Sequence, residues 1–334
     1  MARAIVLAAI FGVGLLPMTA AAQQRPLPRP DTQPVIEKVR DNLYVVTTGG
    51  PTRTNVTFFI TKHNGVVMFD TGNPGWSKVW LAALRKITDK PLTHVFITHD
   101  HADHTGSLRE MGDSLVRVAH ENAARSLAQA QCVERTGCQL FQGNNAKYLP
   151  TTTFTTTRTM FAGKDRVKAY NFGPSHTNGD AVYEIPSLGV VLIGDVLAWR
   201  GVPRVLVDDA GSAQRYPQML DQLIHTITGA RTVITGHSVT MTWQDVLEFR
   251  NFVADYTSYV RDAHDAGRSV DEAMAGLLAR LAKYKPCDPK VTLAAELQTI
   301  DCRFRTDYAA LNATILYDEL EGRTSTHGSQ ATGR

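Results

Sequence analysis

The sequence predicts a layered α/β fold organised around two sheets. Two observations predict it. Strand-length runs of β-branched and aromatic residues alternate with segments of helical periodicity. These elements also recur in two successive sets of mixed order, the pattern expected of helices packed on sheets. The chain has 334 residues, 43% hydrophobic and 20% charged, which is enough to bury a sizeable core in one large domain or two smaller ones.

The first 22 residues are set aside as a signal peptide. Arg3 supplies a positive start, Ala4 to Leu16 is nearly all apolar, and Ala20-Ala21-Ala22 offers small residues for cleavage. The apolar run is too short to span a bilayer comfortably, and Gln, Pro and Arg follow it. The expectation is an exported protein, periplasmic or secreted, with no stable membrane anchor after cleavage. Residues 23–34 read as an extended, Pro-rich leader.

Val35 to Thr48 alternates like two strands around a turn at Asp41-Asn42. Asn55 to Thr61 and Gly65 to Phe69 form a further hairpin pattern. Helical periodicity spans Trp76 to Ile87, and Thr93 to Thr98 is a short buried strand. Glu121 to Ala130 is helical again. Thr151 to Thr159, Arg166 to Asn171, Ala181 to Ile185 and Val190 to Ile193 read as strands. Pro217 to Ile227 is helical and Thr232 to Thr235 is a strand. From Trp243 the pattern is almost continuously helical to about Leu320, and Arg323 to Arg334 is small, polar and expected to be disordered. Tyr256, Tyr259 and Val260 in this tail suit core packing better than a lid, and a homodimer interface is the further alternative. The formal charge of +3 gives no broad basic field, so a nucleic-acid partner is not expected.

The four cysteines suit an oxidising compartment. Four allow three pairings. The local pairs Cys132–Cys138 and Cys287–Cys302 are favoured over the others and over four free buried thiols. Neither bridge is expected to touch the functional site.

The densest chemistry is Thr98-His99-Asp100-His101-Ala102-Asp103-His104, directly after an apolar strand. A loop at a strand end can turn alternate side chains toward different parts of a small cavity. His99 and His101 can then bind one metal while Asp103 and His104 reach a second. Imidazole and carboxylate suit zinc and other first-row metals. Burying such groups without partners is costly, which argues against a purely structural role. His176 lies in a turn-rich segment, Gly173 to Asp180. Asp195 and His237 each follow an apolar run and a glycine. Asp180, close to His176 in sequence, is assigned no role at the site.

This ordered set resembles the metallo-β-lactamase superfamily from about Val35 to Arg250. His99 to His104 matches its H-x-H-x-D-H signature. Gly173-Pro174-Ser175-His176-Thr177, Ile193-Gly194-Asp195 and Thr235-Gly236-His237 resemble its later motifs. The resemblance implies a four-layer αβ/βα sandwich with the site at one edge, here extended by a helical C-terminal region. Residues 35–250 would be catalytic, 251–322 a helical extension packed on the core, and 323–334 the tail. It implies that His99, His101 and His176 bind one metal, that Asp103, His104 and His237 bind another, and that Asp195 bridges them. Asp103 would also handle protons. Asp70, in Met68-Phe69-Asp70-Thr71-Gly72, matches an aspartate that supports such sites without binding metal. The implied cofactors are two zinc ions, with iron or manganese as alternatives.

The implied activity is hydrolysis of a small molecule by a hydroxide shared between the metals. An aspartate at position 195 resembles the lactonase, thioesterase and phosphoesterase branches, whereas the zinc β-lactamases commonly carry cysteine or serine there. Ester or lactone hydrolysis is therefore ranked first and β-lactam hydrolysis second. An iron-dependent oxidoreductase and a non-catalytic metal-binding protein on the same fold remain as alternatives. The loops Asn145 to Thr152 and Gly201 to Gln214 carry no recognisable substrate code.

Overall fold

The computed structural model describes residues 33–48, 54–132, 135–287 and 303–325. The expected signal peptide, most of the leader, Cys302 and the end of the tail lie outside the described residues.

Seven strands form the first sheet: β1 (Val35–Arg40), β2 (Leu43–Thr47), β3 (Val56–Ile60), β4 (Val66–Phe69), β5 (Leu92–Phe96), β6 (Val116–His120) and β7 (Thr152–Phe154). They lie in sequence order. The first four pair antiparallel, then β4 to β7 pair parallel through helical crossovers. The second sheet holds β8 (Thr157–Met160), β9 (Val167–Tyr170), β10 (Val182–Ile185), β11 (Val190–Gly194), β12 (Thr232–Thr235) and β13 (Met241–Thr242). Only β11 and β12 are parallel there, because α4 (Tyr216–Thr226) makes the crossover between them.

The alternation along each strand explains why the sheets stack. On β4, Val67 and Phe69 face the second sheet, where they meet Tyr183, Ile185, Val190, Leu192 and Ile234. Val66 and Met68 face the other way, against Trp80 and Leu84 of α1 (Ser77–Ile87) and Leu127 of α3 (Glu121–Leu127), with the short α2 (Ala102–Thr105) between these helices in the chain. The second sheet's outer face does the same against α4 and α5 (Trp243–Asp265), through Val191, Ile193, Leu220, Phe249 and Val253. A strand buried on both faces reads as a nearly continuous apolar run, as these do. The result is the expected helix–sheet–sheet–helix sandwich.

Strand β6 is an addition to the sequence reading. Arg117 interrupts its apolar run, yet it is buried and gives its guanidinium N–H groups to the carbonyls of Leu115 and Gly112. The C-terminal region is also less continuous than its pattern suggests. Helix α5 runs unbroken across the 250/251 boundary. It ends at Asp265, Gly267 follows with a φ of 68° that a side chain would resist, and Ser269 then caps α6 (Val270–Arg280) through a reciprocal bond pair with Glu272. Beyond α6, Pro286 cannot continue a helix and instead pairs as an isolated bridge with Phe304. Helix α7 (Ala309–Leu320) then packs against α5 and α6, with Ala313 and Leu316 in the shared core. Among the described helices none is long and apolar enough to cross a membrane.

Cys132 and Cys138 are bonded, with Cα atoms 5.7 Å apart. Cys287 is also disulfide-bonded.

Candidate metal centre

The parallel strands fix the site's position. The C-terminal ends of β4 and β5 deliver Asp70 and the segment His99 to His104. Those of β11 and β12 deliver Asp195 and His237. The turn from β9 to β10 opens at the same end of the second sheet and carries His176, since β9 runs in the direction of β11. The sheets are joined there by Ala181 N–H donating to the Thr98 carbonyl at 2.7 Å.

All seven residues that the sequence singles out as ligands converge. His99, His101, His176 and Asp195 form one group and Asp103, His104 and His237 another. Within each group the ligand-type atoms lie within 4.8 Å of one another. His101 Nδ1 is 2.9 Å from His99 Nε2 and 3.2 Å from His176 Nε2. His104 Nε2 and His237 Nε2 are 3.3 Å apart, and Asp103 Oδ2 is 3.4 Å from the latter. Asp195 stands between the groups. Its Oδ2 is 3.1 Å from His237 Nε2 and 3.6 Å from His176 Nε2, and its Oδ1 is 3.5 Å from His104 Nε2.

The surroundings fix which nitrogen of each ring points inward. His104 Nδ1 donates to Asp70 Oδ2 at 2.8 Å, and His176 Nδ1 donates to the Arg204 carbonyl at 2.6 Å. His101 Nε2 faces Asp209 Oδ2 at 3.2 Å, and His99 Nδ1 faces Thr98 Oγ1 at 3.1 Å. With the outer nitrogens as donors, the inner ones carry lone pairs. Three such lone pairs therefore crowd together in the first group, where one proton can serve one pair and a cation can serve all three. Asp195 Oδ1 is buried without a hydrogen-bond partner. These donors fit divalent metals with imidazole and carboxylate ligands.

Two backbone features exist for this geometry. A Cβ on Gly236 would come within 1.8 Å of Asp195 Oδ1, so residue 236 must be glycine for the carboxylate to stand where it does. Asp70 adopts a left-handed φ of 56°, uncommon for a residue other than glycine. In exchange its carboxylate accepts from Thr98 N at 2.8 Å, Thr98 Oγ1 at 2.7 Å and His104. Asp70 thus sits beside His104 rather than among the inward atoms. The loop around the disulfide also backs the ligand segment: Ala102 N donates to the Arg135 carbonyl and Gly137 N to the Asp100 carbonyl. This support is closer than the sequence suggested.

The groups differ in charge. Burial, followed by the neighbouring imidazoles, holds His99 well below the ordinary histidine range, and burial and His176 do the same to His101. Burial works against protonation of His104 as well, but Asp195, Asp103 and Asp70 outweigh it and push His104 up to about 10. His237 is raised in the same way against burial, by Asp195 and Asp103. Burial would raise Asp195, yet His237 and His104 hold it well below the usual carboxylate range.

Sequence reasoning missed three supports. Asp180 is buried and accepts from Ser175 Oγ, Thr177 N and Thr177 Oγ1, so it shapes the turn that carries His176. Its proximity to His176 in sequence is the signal that was available. Asp209 and Arg204 act from an irregular loop with no pattern to reveal them.

A model of the family described as the metallo-beta-lactamase superfamily matches residues 49–259. The chain belongs to that superfamily. The superfamily match ends inside α5, before α6 and α7. Among solved structures the chain is similar to a metallo-beta-lactamase from Pontibacter korlensis, with a TM-score of 0.55 and 18% identity over 67% of this chain and 100% of that one. It is also similar to the DIM-1 metallo-beta-lactamase, with a TM-score of 0.53 and 17% identity over 66% of this chain and 97% of that one. At such identities the likeness is one of fold. No curated protein sequence matches the chain significantly. Superfamily membership together with the His/Asp cluster supports a metallo-hydrolase type of function.

Proposed function

We propose that this chain is an exported, zinc-dependent hydrolase acting on an ester, a lactone or a related acyl compound. The observation that carries the reading is Asp195, a buried carboxylate set between two ligand groups with one oxygen unpartnered. His99 Nε2, His101 Nδ1 and His176 Nε2 would hold one metal. Asp103, His104 Nε2 and His237 Nε2 would hold the other, with Asp195 shared. Bound there, divalent metals supply Lewis acidity to a carbonyl and make water nucleophilic near neutral pH.

The chain's own contribution is orientation and exclusion of solvent. Asp70 fixes the His104 ring, Asp209 the His101 ring and the Arg204 carbonyl the His176 ring. Asp103 has a side chain 36% exposed, against 8% for Asp195, which places it at the mouth. There its carboxylate would take a proton from water and pass it to solvent. A carboxylate at position 195 supports acyl esters as substrates ahead of β-lactams, the class to which the names of the similar proteins point.

The test is a turnover screen of the zinc-loaded protein against lactones, carboxylic esters, thioesters, phosphodiesters and β-lactams. Hydrolysis of an ester or lactone that a chelator abolishes and zinc restores is the expected result. Fastest turnover of a β-lactam would move the assignment to that class. No turnover of any of the five with both metals bound would overturn the hydrolase reading.

A further inference from the structure

We propose that Arg204 is the specificity determinant of this site and that it receives a carboxylate carried by the acyl substrate. This rests on the hydrolase reading for the reaction, but not for the binding of the anion.

Arg204 lies on the loop between β11 and α4, and its carbonyl already orients His176. Its positive charge reaches the centre, where it disfavours protonation of His101. Yet its guanidinium has no carboxylate partner among the described residues, and Nε and Nη2 are buried without a hydrogen bond. Other arginines of this loop and of the C-terminal segment contrast with it. Arg200 meets Asp245, Arg303 meets Glu248 and Arg305 meets Asp307. Nε and Nη2 form one edge of the planar guanidinium, and that edge accommodates both oxygens of a carboxylate in parallel hydrogen bonds. Leaving such donors buried and unpaired is costly, so an anion that takes them is bound with advantage.

A wall of rings connects this edge to the metal-ligand groups. The Trp199 ring lies 6.1 Å from the His237 ring and stacks on Tyr308 at 5.7 Å. Arg204 Cζ lies 5.5 Å from that same Tyr308 ring. The wall is held by the C-terminal region. Arg305 sits over Trp199 at 4.3 Å, Val202 N donates to the Arg305 carbonyl, and Asn312 Nδ2 donates to the Pro203 carbonyl at 2.7 Å. A Cβ on Gly201 would come within 2.6 Å of Arg305, so the loop and the C-terminal segment approach as closely as glycine permits. The extension therefore has a task beyond packing: it supplies Tyr308 and fixes the loop of Arg204. Arg204 and Tyr308 are both half-buried, and a carboxylate would reach the buried edge by displacing the groups that cover it. A substrate with an apolar acyl chain along Trp199 and Tyr308 and a terminal carboxylate at Arg204 fits this wall.

The test uses zinc-loaded protein and a matched ester pair, 4-nitrophenyl butanoate and the mono-4-nitrophenyl ester of glutaric acid. The wild-type protein should favour the anionic ester in kcat/KM by about ten- to a hundredfold, the worth of a charge-assisted hydrogen-bonded pair. Arg204→Met should bring that ratio close to one. Arg204→Lys, which keeps the charge without the edge, should fall between. Glutarate binding by calorimetry should weaken about tenfold or more in Arg204→Met. An unchanged ester ratio together with unchanged glutarate binding would overturn the proposal, as would a tighter Arg204-dependent affinity for inorganic phosphate than for glutarate. If neither ester turns over but glutarate binding still depends on Arg204, the hydrolase reading fails and the carboxylate site stands. Circular dichroism and zinc content of both variants separate this from misfolding.

Discussion

The two ligand groups both draw on the same six-residue segment, His99 to His104, yet they present opposite electrostatics. His99 and His101 are held neutral by burial and by other imidazoles. His104 and His237 face Asp195 and Asp103, and His104 also faces Asp70, so both favour a positive charge despite burial. The difference teaches that the H-x-H-x-D-H spacing sets which residues can meet. The distribution of carboxylates from the other strands sets what each group attracts. The first group is a nest of lone pairs, and the second is a site of negative potential.

The largest effect should come from disturbing what the groups share. Asp195→Ala removes the carboxylate between them. It should cost at least the ~10–100-fold in metal affinity or turnover typical of changes to residues one step removed from a metal. Gly236→Ala should do nearly the same without touching a ligand, because its Cβ displaces Asp195 Oδ1. Metal content, turnover and circular dichroism check both. A folded Gly236→Ala protein with normal metal content would show that the position of Asp195 is not critical.

A finer pair of changes separates the groups. Asp209→Asn loosens His101, and Asp70→Asn loosens His104. Each should weaken one metal by about 10–100-fold and leave the other nearly unchanged. Stepwise cobalt titration followed by its visible spectrum would report the two affinities. If both variants weaken the same metal, the division into two groups is wrong.

The smallest effect lies away from the centre. Asp165 accepts from Lys62 N at 2.7 Å, His63 N at 2.9 Å and Asn64 Nδ2, and so ties the β3–β4 turn to the second sheet. Burial would raise its pKa, but these donors outweigh burial and hold the carboxyl below its ordinary value. Its stabilisation is therefore present above the unfolded-state pKa near 4 and is lost as pH falls through the lower folded value. Asp165→Asn should cost about 2 kcal/mol at neutral pH. The difference from wild type should shrink in acid, while metal content stays the same. Denaturant unfolding across pH checks it, and a difference that grows in acid would contradict the sign.

The contrast also separates what the sequence makes legible from what it does not. His99 to His104 is contiguous, and Asp195 and His237 each follow an apolar strand and a glycine, so their convergence is readable from strand ends alone. Asp209 and Arg204 are not readable in that way. They lie on a loop without periodicity, and their contacts join positions as far apart as the 108 residues between His101 and Asp209. Strand β6 escapes because Arg117 breaks its apolar run, and only the fold shows the carbonyls that satisfy it. The C-terminal helices read as one because Gly267 and Pro286 are single interruptions in a long helical pattern.

The central claim is that Asp195 joins two metal-binding groups into one centre. Its most direct test is elemental analysis of the purified full chain, with Asp195→Ala alongside. The account predicts about two transition-metal ions per wild-type chain, most of them zinc, and one or fewer in the variant with its fold retained. One iron and no zinc in the wild-type protein, or two metals retained in Asp195→Ala, would contradict it.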